Sequence, residues 1–566
     1  MQSRRGRGHQ GSRGRGGGSG SAGSGSWSIF NSFNDRKSGR SAYGKSSDAE
    51  KATAEKFAPQ FSSDADASRP ADEALRLANA VTSTILVRIE GDSGTSAVSL
   101  PAFHSQLLQR SREDLAPAAS ATLEYLRCVA MKELMREYEE LLSAANWPMM
   151  KRKGQREAFI RWVFERKALE RAWYAGQTKS GVAAGDLPPR DPVIPGSPVE
   201  VSTSLLREVE ADAPMEDAEE KAGASSKIVL EVAQRSNAKL LHIANSEIPK
   251  LKGDAICNDK FTVFWHKDTA TFAKIGSDGS STSHEMLIRH ANRLKYLFNA
   301  FSLQGVPDTE KVSSTPVVVD EAAFAARTFA MLERYRAITG VKPNEGSGHH
   351  AAIPPQIHAC LERNLEVSME LFAAPFNSHG PNYCSLFGDT DCHFGSVGSF
   401  FDFHPVQGSF EANPPFVEEV MEEMRLHMEQ LLAATDQPLS FTIVVPAWTN
   451  PVPPSHQALT ENKSGFLRRK ILFPADDHVY LDGFQHTLRD APFKPVHETV
   501  VFIIQNEAGA VKWPATDAVE ADLRATWKEL ATTVVRPVLG GPIAPSSVDG
   551  PIPGEKRPRD TDAEQE

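Results

Sequence analysis

Apolar positions in this chain follow two periods, and the change from one to the other divides it. Between about Asp72 and Gly176, Leu123, Leu126, Met131, Leu134 and Met135 recur at three- and four-residue spacing, as do Phe159, Val163 and Phe164. That spacing predicts amphipathic helices. Helical patterning resumes near Lys227 and again from Glu321 to Thr339, where Gly340 suits a helix end. From about Pro354 to Trp513, short apolar runs alternate with helical stretches, which predicts an α/β domain with a largely parallel sheet. Strands are expected at Val367 to Phe372, Phe400 to Phe403, Phe441 to Val445, Ile471 to Phe473 and Val500 to Ile504. The clearest helix is Phe416 to Ala434: Val417, Val420, Met421, Met424, Met428, Leu431 and Leu432 share one face, with Glu418 and Glu419 in the first turn.

The resulting plan has a disordered Arg/Gly/Ser-rich arm at 1–75, a helical domain at 76–176, an acidic Pro-rich linker or insertion at 177–225, and more helix at 226–350. An α/β domain follows at 351–515, then a carboxyl-terminal helix at 516–540 and a disordered tail at 541–566. The arm carries RGRG at 5–8 and 13–16 and lacks the apolar side chains needed to fold. It fits an RNA tether and a solubilising tail equally. Its GRGGGSG run is no phosphate loop, since neither strand nor helix flanks it.

With 566 residues and 40% apolar content the chain can bury full cores. Its five cysteines, Cys128, Cys257, Cys360, Cys384 and Cys392, form no CxxC pair. No disulfide framework or zinc ribbon is therefore expected, and no metal. Cys384, Cys392 and His393 read as core and loop, while His478, His486 and His497 lack ligand spacing. No apolar run approaches the roughly 20 residues that span a bilayer, so no membrane association is expected. The net charge of −11 opposes nucleic-acid binding in the mean, although charge is unevenly spread. In residues 150–173, Arg161, Arg166 and Lys167 accompany Trp162 and Trp173, which suits RNA backbone contact and stacking. A solvated basic helix face with core tryptophans fits the same residues. Arg468, Arg469 and Lys470 form a second basic cluster, readable as a phosphate contact or as a charged strand edge. Lys556-Arg557-Pro558-Arg559 in the tail fits nuclear import or a charged disordered end.

One turn carries chemistry. Asn413-Pro414-Pro415-Phe416 sits between a short extended segment and a helix start. An adenine N6 amine is a poor nucleophile because its lone pair is delocalised, so a catalyst must hold it by its two N–H protons. Asn413 offers a side-chain oxygen and Pro414 a carbonyl, and the prolines keep the turn stiff. Phe416 offers a ring on which a base can stack, worth about 1–3 kcal/mol. The same tetrapeptide also fits a Pro-rich helix start with Phe416 as a core anchor.

The stretch from about Met331 to Trp513 contains, in order, LERYRAITG, FAAPFNS, YCSLFGDTDCHFGS, GSFEANPPF, LSFTIVVPAW, ILFPADDHVY and QNEAGAVKW. It closely resembles the phosphorylated-CTD-interacting factor family, cap-specific adenosine N6-methyltransferases acting on the first transcribed nucleotide of capped mRNA. The resemblance implies a Rossmann-like class I methyltransferase domain behind a helical domain, S-adenosyl-L-methionine as cofactor, capped mRNA as substrate and a nuclear location. It makes Asn413, Pro414, Pro415 and Phe416 the catalytic tetrapeptide. Ala374, Pro375 and Asn377 would hold the methionine part of the donor, and Asp389 or Asp391 its ribose. Phe394, Gly395 and Ser396 match a further family motif, and SGFLRRKILFPA places Arg468 toward the substrate. The usual GxG of the cofactor loop is replaced by AAPFNSHG. No WW module is present, so docking on the phosphorylated polymerase tail is not expected, although the transcription machinery is a candidate partner. Transfer to another adenine or to a glutamine amide, and a non-catalytic RNA-binding scaffold, stay open on the residues alone.

Overall fold

Strands with no polar face have to be covered on both sides, and two such strands organise this fold. Leu439–Pro446 and Thr499–Gln505 are buried at every position and pair antiparallel from Ser440 opposite Gln505 to Pro446 opposite Thr499. A computed structural model describes residues 56–88, 97–147, 152–170, 189–196, 203–252, 258–302, 320–339, 351–449, 452–487 and 492–534, with Tyr174, Gly176, Gly181 and Leu187. Its strands in chain order are β1 Leu86–Arg88, β2 Ala97–Ser99, β3 Lys260–Trp265, β4 Thr269–Ile275, β5 Ser281–Leu287, β6 Ala351–Ala352 and β7 Met369–Ala373. There follow β8 Tyr383–Ser385, β9 Pro405–Ala412, β10 Leu439–Pro446, β11 Leu467–Phe473, β12 Tyr480–Asp482, β13 Pro492–Phe493 and β14 Thr499–Gln505.

Among the described residues the main sheet has eight strands, four of them ordered β11-β14-β10-β9. Beyond β9, β7 and then β8 continue beside its carboxyl-terminal half, while β1 and β2 extend from its amino-terminal half. The sheet is mixed rather than largely parallel. β7–β8, β7–β9 and β9–β10 are parallel, but β14 lies antiparallel between β10 and β11. An apolar run fixes burial and not direction, so the sequence could not show that reversal. The helix Glu418–Ala433 makes the crossover from β9 to β10 and buries the predicted face, including Val420, Met424, Met428 and Leu432.

Phe400–Phe403, expected as a strand, opens instead with a 3-10 turn, Phe400–Asp402, started by Ser399, whose hydroxyl accepts from the Phe401 N–H. Its aromatic side chains are packing units: Phe400 meets Phe372 and Phe441 edge-on. The strand that leads into Asn413 is β9, whose Gly408, Ser409 and Glu411 hide its strand character.

Helices Pro117–Ala144, Arg152–Ala168, Ala218–His242, Ile288–Ser302 and Glu321–Thr339 form the helical region. It also contains β3, β4 and β5, an antiparallel sheet inside the segment expected to be helical. The segment expected as a linker contains the helix Thr203–Ala211 and the start of Ala218–His242, the latter capped by Asp217. Residues 56–75, assigned above to the arm, pack on the core: Phe57 is buried and Phe61 stacks on Tyr296 at 4.4 Å. The arm up to residue 55, Trp173, and the tail with its 556–559 basic patch lie outside the described residues.

An ion network joins the helices to the sheet. Arg334 Nε donates to Glu124 Oε2 (2.5 Å), and its Nη1 and Nη2 donate to Asp389 (2.9 and 2.8 Å) just beyond β8. Arg127 bridges Glu124 and Asp191. Removing one partner from such a buried network leaves a charge uncompensated. Arg334→Ala should therefore destabilise the protein by about 3–5 kcal/mol in urea unfolding.

Candidate active site

β7 and β9 run parallel with Met369 opposite Phe410 and Glu370 opposite Glu411, so both strands deliver their following turns to the same edge of the sheet. After β7 the chain turns tightly. Asn377 Oδ1 accepts from the Ala374 N–H (2.7 Å), and the Ala374 carbonyl accepts from the N–H groups of Asn377 and Ser378. After β9 comes Asn413-Pro414-Pro415, whose last carbonyl accepts from the Val417 N–H (2.7 Å) before the helix begins at Glu418. Two prolines with fixed φ and one hydrogen bond keep this corner rigid.

Between the two turns lies a cleft of about 1040 Å³, counting solvent at its mouth. Asn413, Pro414, Pro415, Ala374 and Asn377 line it, as do Ala351 and Ala352 of β6. Asn413 Nδ2 donates to the Ala351 carbonyl (2.5 Å), while Asn413 Oδ1 is buried without a hydrogen-bond partner. An orphaned buried acceptor costs roughly 1–3 kcal/mol, so its presence on a cleft wall marks a place for a ligand's N–H. The half-buried rings of Phe372, Phe401 and Phe484 also line the cleft and offer stacking surfaces. So do two carboxylic side chains that the sequence reading passed over, Glu370 and Glu411.

Residues 293–483 match the family described as the phosphorylated CTD interacting factor 1 WW domain. Two curated relatives, from Homo sapiens and Mus musculus, are each an mRNA (2′-O-methyladenosine-N(6)-)-methyltransferase, 40% and 41% identical to this chain over 217 residues. Over these residues the chain is similar to the phosphorylated CTD interacting factor family. Each alignment covers 37% of this chain and 30% of the relative, so the match spans under a third of either relative's length. The cleft lies within the matched residues, apart from Phe164, Ala168 and Phe484.

Several expected site residues stand elsewhere. Phe416 is 5% exposed, meets Tyr480 edge-on at 6.4 Å and is not among the cleft-lining side chains, so it acts here as a packing anchor. Pro375 is buried in the turn between Ala374 and Asn377 without lining the cleft. Asp389 is taken up by Arg334. Asp391 is fully buried behind the cleft wall, accepting from Tyr335 (2.6 Å) and Thr390 (2.9 Å). Burial raises its pKa to about 7 against those bonds. The groups that reach the cleft on that side are Tyr335 and Ser385.

The basic residues also point inward to protein partners. Arg161 pairs with Glu208 (2.7 Å), Arg166 donates to the Gly196 carbonyl (3.0 Å), and Lys167 reaches Glu170 and the Asp191 carbonyl. Trp162 is 1% exposed in the core. What this helix gives the cleft is apolar, Phe164 and Ala168. On β11, Arg468 pairs with Glu507, Arg469 with Asp517 and Glu520, and Lys470 with Thr460, and none of them lines the cleft. They are the charged edge of a sheet. Deleting the Phe416 ring leaves a core cavity, so Phe416→Ala should lower stability by about 3–5 kcal/mol, measured by chemical denaturation.

Proposed function

We propose that this protein transfers a methyl group from S-adenosyl-L-methionine to the N6 amine of the first transcribed adenosine of capped mRNA, acting in the nucleus. The observation that carries this reading is the unsatisfied Asn413 Oδ1 on a rigid prolyl corner at the cleft. Such an acceptor holds a planar amine by one N–H, with the Pro414 carbonyl available for the other. Held in this way, the amine presents its lone pair along one line, which is the orientational part of catalysis. The rings of Phe372, Phe401 and Phe484 would support the base, taking the stacking role first expected of Phe416.

The lining also suits the donor. The turn Ala374 to Asn377 follows β7, the position at which open α/β sheets receive ligands, and strand order β8-β7-β9-β10 with β14 reversed supports a Rossmann-like methyltransferase. Ala374 and Asn377 would hold the amino-acid part, and Tyr335 and Ser385 stand where hydroxyls of a ribose would be met. When bound, the donor supplies an electrophilic methyl. No general base is needed before transfer, because the proton leaves afterward. Phe164, Leu371, Leu386 and the prolines keep water from the reacting centre. Among the described residues no helix is long and apolar enough to cross a membrane.

The test uses full-length protein, labelled donor and capped RNAs beginning with A or G. Label is expected on the A-capped RNA alone, with inhibition by free 7-methylguanosine cap analogue; equal labelling of both RNAs sinks the proposal. Asn413→Ala should lower kcat by about 10²–10³-fold while the urea midpoint stays near wild type.

A further inference from the structure

Glu370 and Glu411 are register partners on β7 and β9, so their side chains leave the same face of the sheet. Both line the cleft, at 7% and 1% exposure. Glu370 Oε2 accepts from the His379 N–H (2.5 Å). Glu411 Oε1 is buried with no hydrogen-bond partner. Among the described lining residues there is no Lys, Arg or His.

The neighbouring groups repair this imbalance only in part, and at Glu370 rather than Glu411. His358 Nε2 is 3.4 Å from Glu370 Oε1, but burial takes its pKa down to about 3, so the ring is neutral. His379, stacked on His358 at 4.7 Å, is also held near 3 by burial. Arg293 directs its guanidinium to the Gln60 and Gly380 carbonyls and to Ser378 Oγ. Tyr383 and Tyr480, the other titratable side chains facing the pair, are acids themselves and are raised, burial first. The Arg293 charge favours the ionised form of Glu370 in part, but no cation acts on Glu411, and two buried carboxyls side by side are expensive to ionise together. Burial, and for Glu411 also the charge of Glu370, raises the pKa of each.

We infer that Glu370 and Glu411 form a cation-binding site in the cleft floor, taking the α-ammonium of the methyl donor's amino-acid part. This rests on the methyltransferase reading above. β7 runs straight from Glu370 into the turn proposed to hold that amino-acid part, which is why the ammonium is the favoured occupant. His358, Glu370 and Glu411 also have donor atoms within 4.8 Å of one another, close enough to share a divalent metal ion, so the test must separate the two cations. Filling the site lets Glu411 ionise and give its proton to solvent. Binding therefore tightens as pH rises through the range in which the empty pair is still protonated.

The experiment is calorimetric titration of wild type, Glu411→Gln and Glu370→Gln with S-adenosylhomocysteine, which keeps the ammonium, and with 5′-methylthioadenosine, which lacks the amino-acid part. Melting curves check that each variant is folded. Glu411→Gln should weaken S-adenosylhomocysteine by about tenfold or more, the scale of one charge-assisted hydrogen bond, and leave methylthioadenosine unchanged. Wild-type affinity for S-adenosylhomocysteine should rise as the pH is taken above the ordinary carboxylate range, and Glu411→Gln should flatten that rise. Equal affinities in wild type and both folded variants overturn the inference and leave the methyltransferase reading standing. Failure of wild type to bind S-adenosylhomocysteine sinks that reading instead. Stoichiometric retention of Mn²⁺ by wild type, lost in Glu411→Gln, with S-adenosylhomocysteine binding unaffected, assigns the pair to a metal and overturns the ammonium.

Discussion

The parallel pairing of β7 with β9 is the constraint on which the site depends. Because Glu370 is opposite Glu411, the turns that follow end side by side, and the Asn413 corner faces the Ala374 to Asn377 turn across one cleft. An antiparallel pairing would send those turns to opposite ends of the sheet. The burial that holds this register is supplied from elsewhere, by β10 and β14, which have no polar face, and by the helix Glu418–Ala433 above them. Core packing and site geometry are therefore one problem in this protein.

The helical region acts on the cleft through its packing. Arg334 and Tyr335 are consecutive: the first is held by Glu124 and Asp389, the second reaches Asp391 and forms part of the cleft wall. The ion network that anchors Arg334 thus also fixes the position of the neighbouring wall residue. The helix Arg152–Ala168 does the same with Phe164, while its cations serve neighbouring helices and loops.

What the sequence showed follows from what local pattern can encode. The helix Glu418–Ala433 and the strands β10 and β14 were legible because period and uninterrupted apolarity are local properties, and the Asn413 corner because Pro-Pro fixes its own backbone. Strand direction in β14 was hidden, as was the aromatic turn at Phe400, which shares its composition with a strand. The fate of the charges was hidden as well. Arg161 meets Glu208, and Arg469 meets Asp517 and Glu520, partners some fifty residues away, so a basic cluster on paper became a set of ion pairs within the chain. Glu370 and Glu411 were overlooked for the opposite reason: each is the single acid of its strand, and only the register brings the two together.

The placement of β14 bears on how the chain is assembled. Among the described residues it is the last strand in sequence, yet it fills the gap between β10 and β11, and β11 pairs with no other described strand of the main sheet. A nascent chain that has emerged only to residue 490 therefore carries β10 with a bare apolar flank and β11 with no neighbour at all. Such edges are sticky, and they stay so until Gln505 clears the ribosome. Vectorial synthesis thus leaves this sheet open longest beside its most apolar strand, and a chaperone would find its work there.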